Sequence, residues 1–172
     1  MYDLIVFDWD GTLMDSESRI VTCMQAAATD LSWTIPDHDA TKEIIGLGLH
    51  EAVARLFPGR DAEEVQRLAD QYRLHFLGNQ IPGSDLFDGA RELLSHLADV
   101  GYFIAVATGK SRRGLNKEFE STGLGSLFHA SRCADETYSK PHPQMLLDIL
   151  DQLGVAADRA LVVGDTEYDI QM

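Results

Sequence analysis

Leu4-Ile5-Val6-Phe7-Asp8-Trp9-Asp10-Gly11-Thr12-Leu13 sets the frame for the chain: an apolar run stops on an acid, a second acid follows two positions later, and a glycine comes next. A short apolar run bounded by a turn signal predicts a strand buried on both faces, as in a parallel sheet. Two later runs share the form, Phe103 to Ala107 ending on Thr108 and Leu161-Val162-Val163-Gly164 ending on Asp165. In an open parallel α/β sheet, ligands bind in the crevice beyond the carboxyl ends of the strands. Asp8, Thr108 and Asp165 are therefore predicted to meet there. If the extended backbone persists, Asp8 and Asp10 point to the same side. Lys140, in a loop ahead of a late helix, and Asp169, four residues past Asp165, are expected close by. Acids able to hold a divalent cation, with a hydroxyl and an ammonium able to hold an anion, point to phosphoryl transfer.

After the first strand the period becomes helical. Ile20, Cys23, Met24, Ala27, Ala28 and Leu31 form one stripe. Leu49, Ala52, Val53, Leu56 and Phe57 form a second, stopped by Pro58-Gly59. Val65, Leu68, Ala69, Tyr72 and Phe76 form a third, with Asp61 and Glu64 spaced as a capping box. Pro82-Gly83 closes the set. Residues 15–82 thus read as a small helical insertion, and 1–14 with 83–172 as the α/β part. In that part Ala90, Leu93, Leu94 and Leu97 stripe a helix ending near Gly101, and Ser111 is placed to cap a helix carrying Leu115 and Phe119. Leu127 to Ala130 reads as a short strand, and Pro143 opens a helix that Gly154 ends. This strand-helix alternation implies a parallel sheet.

At 172 residues the chain fits one domain carrying a modest insertion. Lys plus Arg number 14 against 28 Asp plus Glu, a net charge of −14, which argues against nucleic acid or an anionic membrane as partner. An anionic substrate would need local help, from a metal and from Lys110, Arg112, Arg113 and Lys140. A strand-like run follows Met1 almost at once and no apolar stretch approaches a membrane span, so a cytoplasmic protein is expected. Cys23 and Cys133 lack metal or redox spacing and read as reduced structural thiols.

The stretch Phe7-Asp8-Trp9-Asp10-Gly11-Thr12-Leu13 resembles the first motif, DxDGT, of the haloacid dehalogenase superfamily. Val106-Ala107-Thr108-Gly109-Lys110 is similar to its second motif, Lys140-Pro141 to its third, and Gly164-Asp165-Thr166-Glu167-Tyr168-Asp169 to its fourth. The helical insertion resembles the small cap of the phosphoglycolate phosphatase and β-phosphoglucomutase branch. The resemblance implies a Rossmann-like parallel core with a helical cap and Mg2+-dependent hydrolysis of a small phosphorylated metabolite, with phosphoglycolate the leading substrate. It makes Asp8 the nucleophile that forms an aspartyl-phosphate, and Asp10 the general acid and base. Asp8, the backbone carbonyl of Asp10 and Asp165 would hold Mg2+, a hard cation that suits oxygen ligands. Thr108, the Gly109 amide and Lys140 would hold the phosphoryl group. Gly11, Thr12 and Asp169 would support the site, and Lys110 and Gly46 are possible substrate contacts. In the family the chain continues past the fourth motif through a helix and a strand, whereas this one ends at Met172, so an edge element is expected to be missing.

Several of these residues have ordinary explanations. Asp169 could simply favour a helix N-terminus, Lys140 could be a solvated lysine, and Lys110 could begin a helix. Lys42, His50, Arg55 and His142 are candidate contacts, with surface placement the stronger expectation for each. Thr108-Gly109-Lys110-Ser111 also looks like the end of a P-loop, but that motif needs glycine at 104, where the chain has Ile104. A sugar phosphomutase or pyrophosphatase of the same superfamily remains an alternative, and a noncatalytic binding protein a remote one.

Overall fold

The chain runs β1 (Leu4–Phe7), β2 (Met14–Asp15), α1 (Glu17–Asp30), α2 (His38–Lys42), α3 (Leu49–Leu56), α4 (Ala62–Leu77), β3 (Asp85–Leu86), α5 (Ala90–Val100), β4 (Phe103–Thr108), α6 (Arg112–Thr122), β5 (Ala130–Cys133), α7 (Gln144–Leu153), β6 (Ala160–Val163) and α8 (Glu167–Gln171). This computed structural model describes residues 1–78 and 85–172. Pro82-Gly83, and with it the 82/83 boundary expected for the insertion, lies outside the described residues. Four parallel strands form one sheet in the order β5-β4-β1-β6. Leu4 pairs with Phe103 on one side and Ala160 on the other, and Phe7 with Val106 and Val163. All four residues of β1 are buried, as expected of a strand with neighbours on both edges and helices on both faces.

Side-chain alternation divides the core into two layers. Ile5, Phe7, Ile104 and Val106 pack with Ala90 and Leu94 of α5 and Leu115 of α6. Leu4, Val6, Ala105 and Ala107 face Met145, Ile149 and Leu150 of α7. Trp9 keeps the parity of Ile5 and Phe7 beyond the strand end, fully buried edge-on to Phe119 and Phe128 at 5.4 and 6.0 Å between centroids.

Helices α1 to α4 fall between β2 and β3 and have their own core, which includes Met24, Ala28, Val53 and Leu68. The Asp61 side chain accepts from the Glu64 amide and Glu64 returns the bond, so α4 starts on the expected capping box. Ser111 caps α6 through the Gly114 amide, and Gly154 ends α7 in the left-handed region.

The sequence reading is corrected at three places. The strand expected at Leu127 to Ala130 begins only at Ala130, because Leu127 and Phe128 turn into the layer around Trp9 and Gly125–Leu127 forms a 3-10 turn. Leu93, expected on the buried stripe of α5, is 46% exposed; Ala90 and Leu94 do the packing. Met14 and Asp15 pair antiparallel with Leu86 and Asp85, a two-residue ladder too short to produce a periodic signal. Among the described residues no helix is long and apolar enough to cross a membrane.

Candidate active site

The strand ends bring the predicted residues together. Trp9 is driven into the core, so Asp8 and Asp10 on either side of it both point the other way and line one cavity with Thr108, Gly109 and Lys110. Asp8 is buried. Its Oδ1 accepts the Trp9 amide at 2.6 Å and lies 3.0 Å from Lys140 Nζ. Its Oδ2 is buried with no hydrogen-bond partner among the described residues. Burial pushes the Asp8 carboxyl up to about 7; Lys140 opposes the rise, while Asp169 and Asp10 add to it.

The Asp10 carboxylate is held by three contacts. Ser16 Oγ donates to its Oδ1 at 2.6 Å, and Lys110 Nζ reaches Oδ1 and Oδ2 at 3.0 and 3.1 Å. Lys110 therefore holds Asp10 in this structure and is buried beside it rather than solvated at a helix start. Behind it the charges alternate. Lys110 lies 3.8 Å from Glu118 of α6, and Glu118 lies 3.9 Å from Arg19 of α1. Both cations also sit 4.4 Å from the centre of the Phe76 ring.

Lys140 is no solvated lysine. Its side chain has no exposed area and its Nζ lies 2.5 Å from Asp169 Oδ1 as well as 3.0 Å from Asp8. Burial acts to lower its pKa, but the two carboxylates together outweigh burial and hold it above the usual lysine range. Asp169 stands at the start of α8, where its Oδ2 accepts the Thr166 amide and hydroxyl as a capping box while its Oδ1 holds Lys140.

Asp165 sits across the site, more exposed, with the Thr12 hydroxyl donating to its Oδ1 at 2.9 Å. Partial burial raises its pKa, and the Thr12 bond works against the rise. Gly11, at φ +80°, passes so close that any Cβ there would overlap the Asp165 carboxylate. Carboxylate oxygens of Asp8, Asp165 and Asp169 all lie within 4.8 Å of one another. This oxygen-only set fits a hard divalent cation such as Mg2+, and the buried Asp8 Oδ2 has no hydrogen-bond partner among the described residues.

The loop Gly46-Leu47-Gly48 lies directly over Gly109, where a Cβ would run into the Gly46 and Leu47 carbonyls. The Gly48 amide donates to Ser139 Oγ at 2.6 Å and the Tyr168 hydroxyl to the Glu43 carbonyl at 2.9 Å, fastening the helical insertion to the sheet. Lys42, His50, Arg55 and His142 are exposed. Cys23 and Cys133 are free and buried, and burial raises their thiols to about 11 and about 12.

Ser16, Glu118 and Arg19 were not singled out from the sequence. Glu118 was findable as an acid three residues from Leu115 on the buried stripe of α6, and Arg19 as a cation four residues from Cys23 on that of α1. Ser16 gave no signal beyond being a polar residue just ahead of a helix.

The chain is similar to several known proteins. The family model described as "Haloacid dehalogenase-like hydrolase" matches residues 5–172. A relative from Dickeya dadantii, named "Probable phosphatase IndB", is 37% identical over 177 residues, covering 100% of this chain and 76% of its own. A relative from Rhodospirillum rubrum, named "Phosphoglycolate phosphatase", is 32% identical over 176 residues, covering 96% and 73%. The crystal structure of a Bacteroides fragilis protein bearing the same family name superposes with a TM-score of 0.91 at 26% identity, over 99% of this chain and 82% of that one.

Proposed function

The chain belongs to the haloacid dehalogenase-like hydrolases, and we propose that within this family it is a Mg2+-dependent phosphatase that cleaves a small phosphomonoester through an aspartyl-phosphate on Asp8. The observation that carries the proposal is the state of Asp8. One oxygen is fixed by the Trp9 amide and Lys140, the other is unpartnered, and Asp10 stands on the same cavity.

In the first half-reaction an Asp8 oxygen forms a bond to phosphorus as the bond from phosphorus to the ester oxygen breaks. The departing alkoxide takes a proton from Asp10. In the second half, water attacks the acyl phosphate while Asp10 takes its proton, and inorganic phosphate leaves with Asp8 restored as a carboxylate. The Lys110 bonds to both oxygens of Asp10 suit the second half, in which Asp10 is a carboxylate ready to accept. Donation in the first half needs Asp10 in its proton-bearing form, with Ser16 as its remaining partner.

Asp8, Asp165 and Asp169, with the Asp10 carbonyl that the resemblance implies, would hold Mg2+; when bound, the ion supplies positive charge that favours ionised Asp8 and offsets charge on the phosphoryl group. Thr108 and the Gly109 amide, both on the cavity lining, would hold phosphoryl oxygens, and Lys140 would add positive charge behind Asp8. Lys110 and Gly46 remain candidate contacts as parts of the cavity wall. The resemblance implies phosphoglycolate, the substrate in the name of the Rhodospirillum rubrum relative, whereas the cavity lining favours a larger apolar alcohol. The chemistry at Asp8 is indifferent to which alcohol leaves.

The test is phosphate release from a panel of phosphomonoesters with and without Mg2+, for the wild type and Asp8→Asn. Release that needs Mg2+ and disappears in the variant is expected. Full rate in Asp8→Asn would remove the nucleophile assignment, and transfer to a sugar without release of phosphate would favour the mutase reading.

A further inference from the structure

The cavity that Asp8 and Asp10 open onto is far from a generic anion site. It encloses about 470 Å³, within the range of roughly 300–1,000 Å³ usual for sites that take drug-sized ligands. The acids form one end. The helical insertion supplies a largely apolar wall of Ile20, Met24, Ile44, Leu47, Tyr72 and Phe76, together with the polar or charged His50, Glu51 and Arg73.

The charges around this space do not suit a second anionic group. Of the cations on its lining, Lys110 is held by Asp10 and Arg73 by Asp70, and Arg113 is exposed at its edge. Asp8 and Asp10 are matched by Lys140 and Lys110, which leaves Glu51 and Asp135 against Arg113. A carboxylate on the leaving group would enter a space where acids outnumber cations. Four of the wall residues, Ile20, Met24, Ile44 and Phe76, are already buried, so the gain on binding an uncharged hydrocarbon group comes chiefly from the group's own apolar area leaving water.

We infer that the preferred substrate carries an uncharged, predominantly apolar leaving group larger than the two carbons of phosphoglycolate, seated against the α1 and α4 wall. The inference rests on the phosphatase reading above for the position of the phosphoryl group at Asp8, and it names the class of ester. Tyr72 adds one polar atom to the α4 side of this wall. The alcohol released would be of matching chemistry, so the reaction that supplies this substrate is a phosphorylation of, or phosphoryl attachment to, an apolar alcohol.

Binding and turnover test separate parts of this. Ethyl-, butyl- and hexylphosphonate cannot be hydrolysed, and their affinities for the Mg2+-loaded protein can be measured by calorimetry whether or not the protein turns over any ester. Affinity is expected to rise about three- to four-fold per added methylene until the cavity is filled. The Leu47→Ser variant is expected to flatten the series, and the wild-type series stands alone if that variant does not fold. A flat or falling series, or carboxymethylphosphonate binding more tightly than butylphosphonate, overturns the inference. Phosphate release from butyl phosphate is measured in parallel. Its absence beside a rising phosphonate series would count against hydrolysis and leave the ligand class standing.

Discussion

Replacing the nucleophile should stabilise the protein, and the gain should grow with pH. Asp8 is raised from 3.8 to about 7 chiefly by its burial. Between those values the folded molecule holds a proton that the unfolded chain releases. Its stability therefore falls as pH rises through this window, and the full penalty applies above about pH 7. At about 1.4 kcal/mol per pH unit, the shift amounts to roughly 4 kcal/mol at pH 8 and about 2 kcal/mol at pH 5. Asp8→Asn removes the titration and leaves Lys140 paired with Asp169 at 2.5 Å. In chelator-treated, metal-free buffer, urea unfolding should show the variant ahead by up to about these amounts, with the gap widening from pH 5 to 7 and level above. At pH 8 the thermal midpoint should rise on the order of 10 °C. Phosphatase activity should be lost in the same variant. A gap that ignores pH, or a wild type more stable than the variant at pH 8, would show that burial does not hold the Asp8 proton as argued.

Lys140→Met strips the cation from Asp8 and Asp169 and should cost about 3–5 kcal/mol in urea unfolding at pH 8, because it leaves buried carboxylates without their counter-charge. The loss should shrink below pH 7 as Asp8 takes up a proton. Gly109→Ala pushes a methyl group into the Gly46 and Leu47 carbonyls. It should displace that loop and lower kcat/KM on the order of 10- to 100-fold, with a much smaller change in thermal midpoint.

Much of the fold was legible because its signals are local. Leu4 to Phe7 reads as a doubly buried strand from four letters, and the even-numbered acids around Trp9 follow from strand parity. Asp61 and Glu64 specify a helix start through bonds made within one turn. The strand at Ala130–Cys133 was missed because half its letters, Ser131 and Arg132, are polar, while the neighbouring Leu127 and Phe128 belong to the Trp9 layer. The residues of the site could be chosen in sequence, but their partners could not. Asp10 and Lys110 are 100 positions apart, and nothing near either one announces that they bond. The burial of Lys140 was equally hidden, since a lysine ahead of a proline reads as solvated until two distant acids are placed beside it.

The row running from Arg19 through Glu118 and Lys110 to Asp10 crosses from the helical insertion to the sheet. Were α1 to swing away, Glu118 would lose Arg19 and turn to Lys110 as its nearest remaining cation, in competition with Asp10. A mechanical displacement would thus be translated into a choice of which acid one ammonium serves. Proton traffic at the reacting oxygen would then depend on whether the two parts of the molecule were in register, with no dedicated sensor needed.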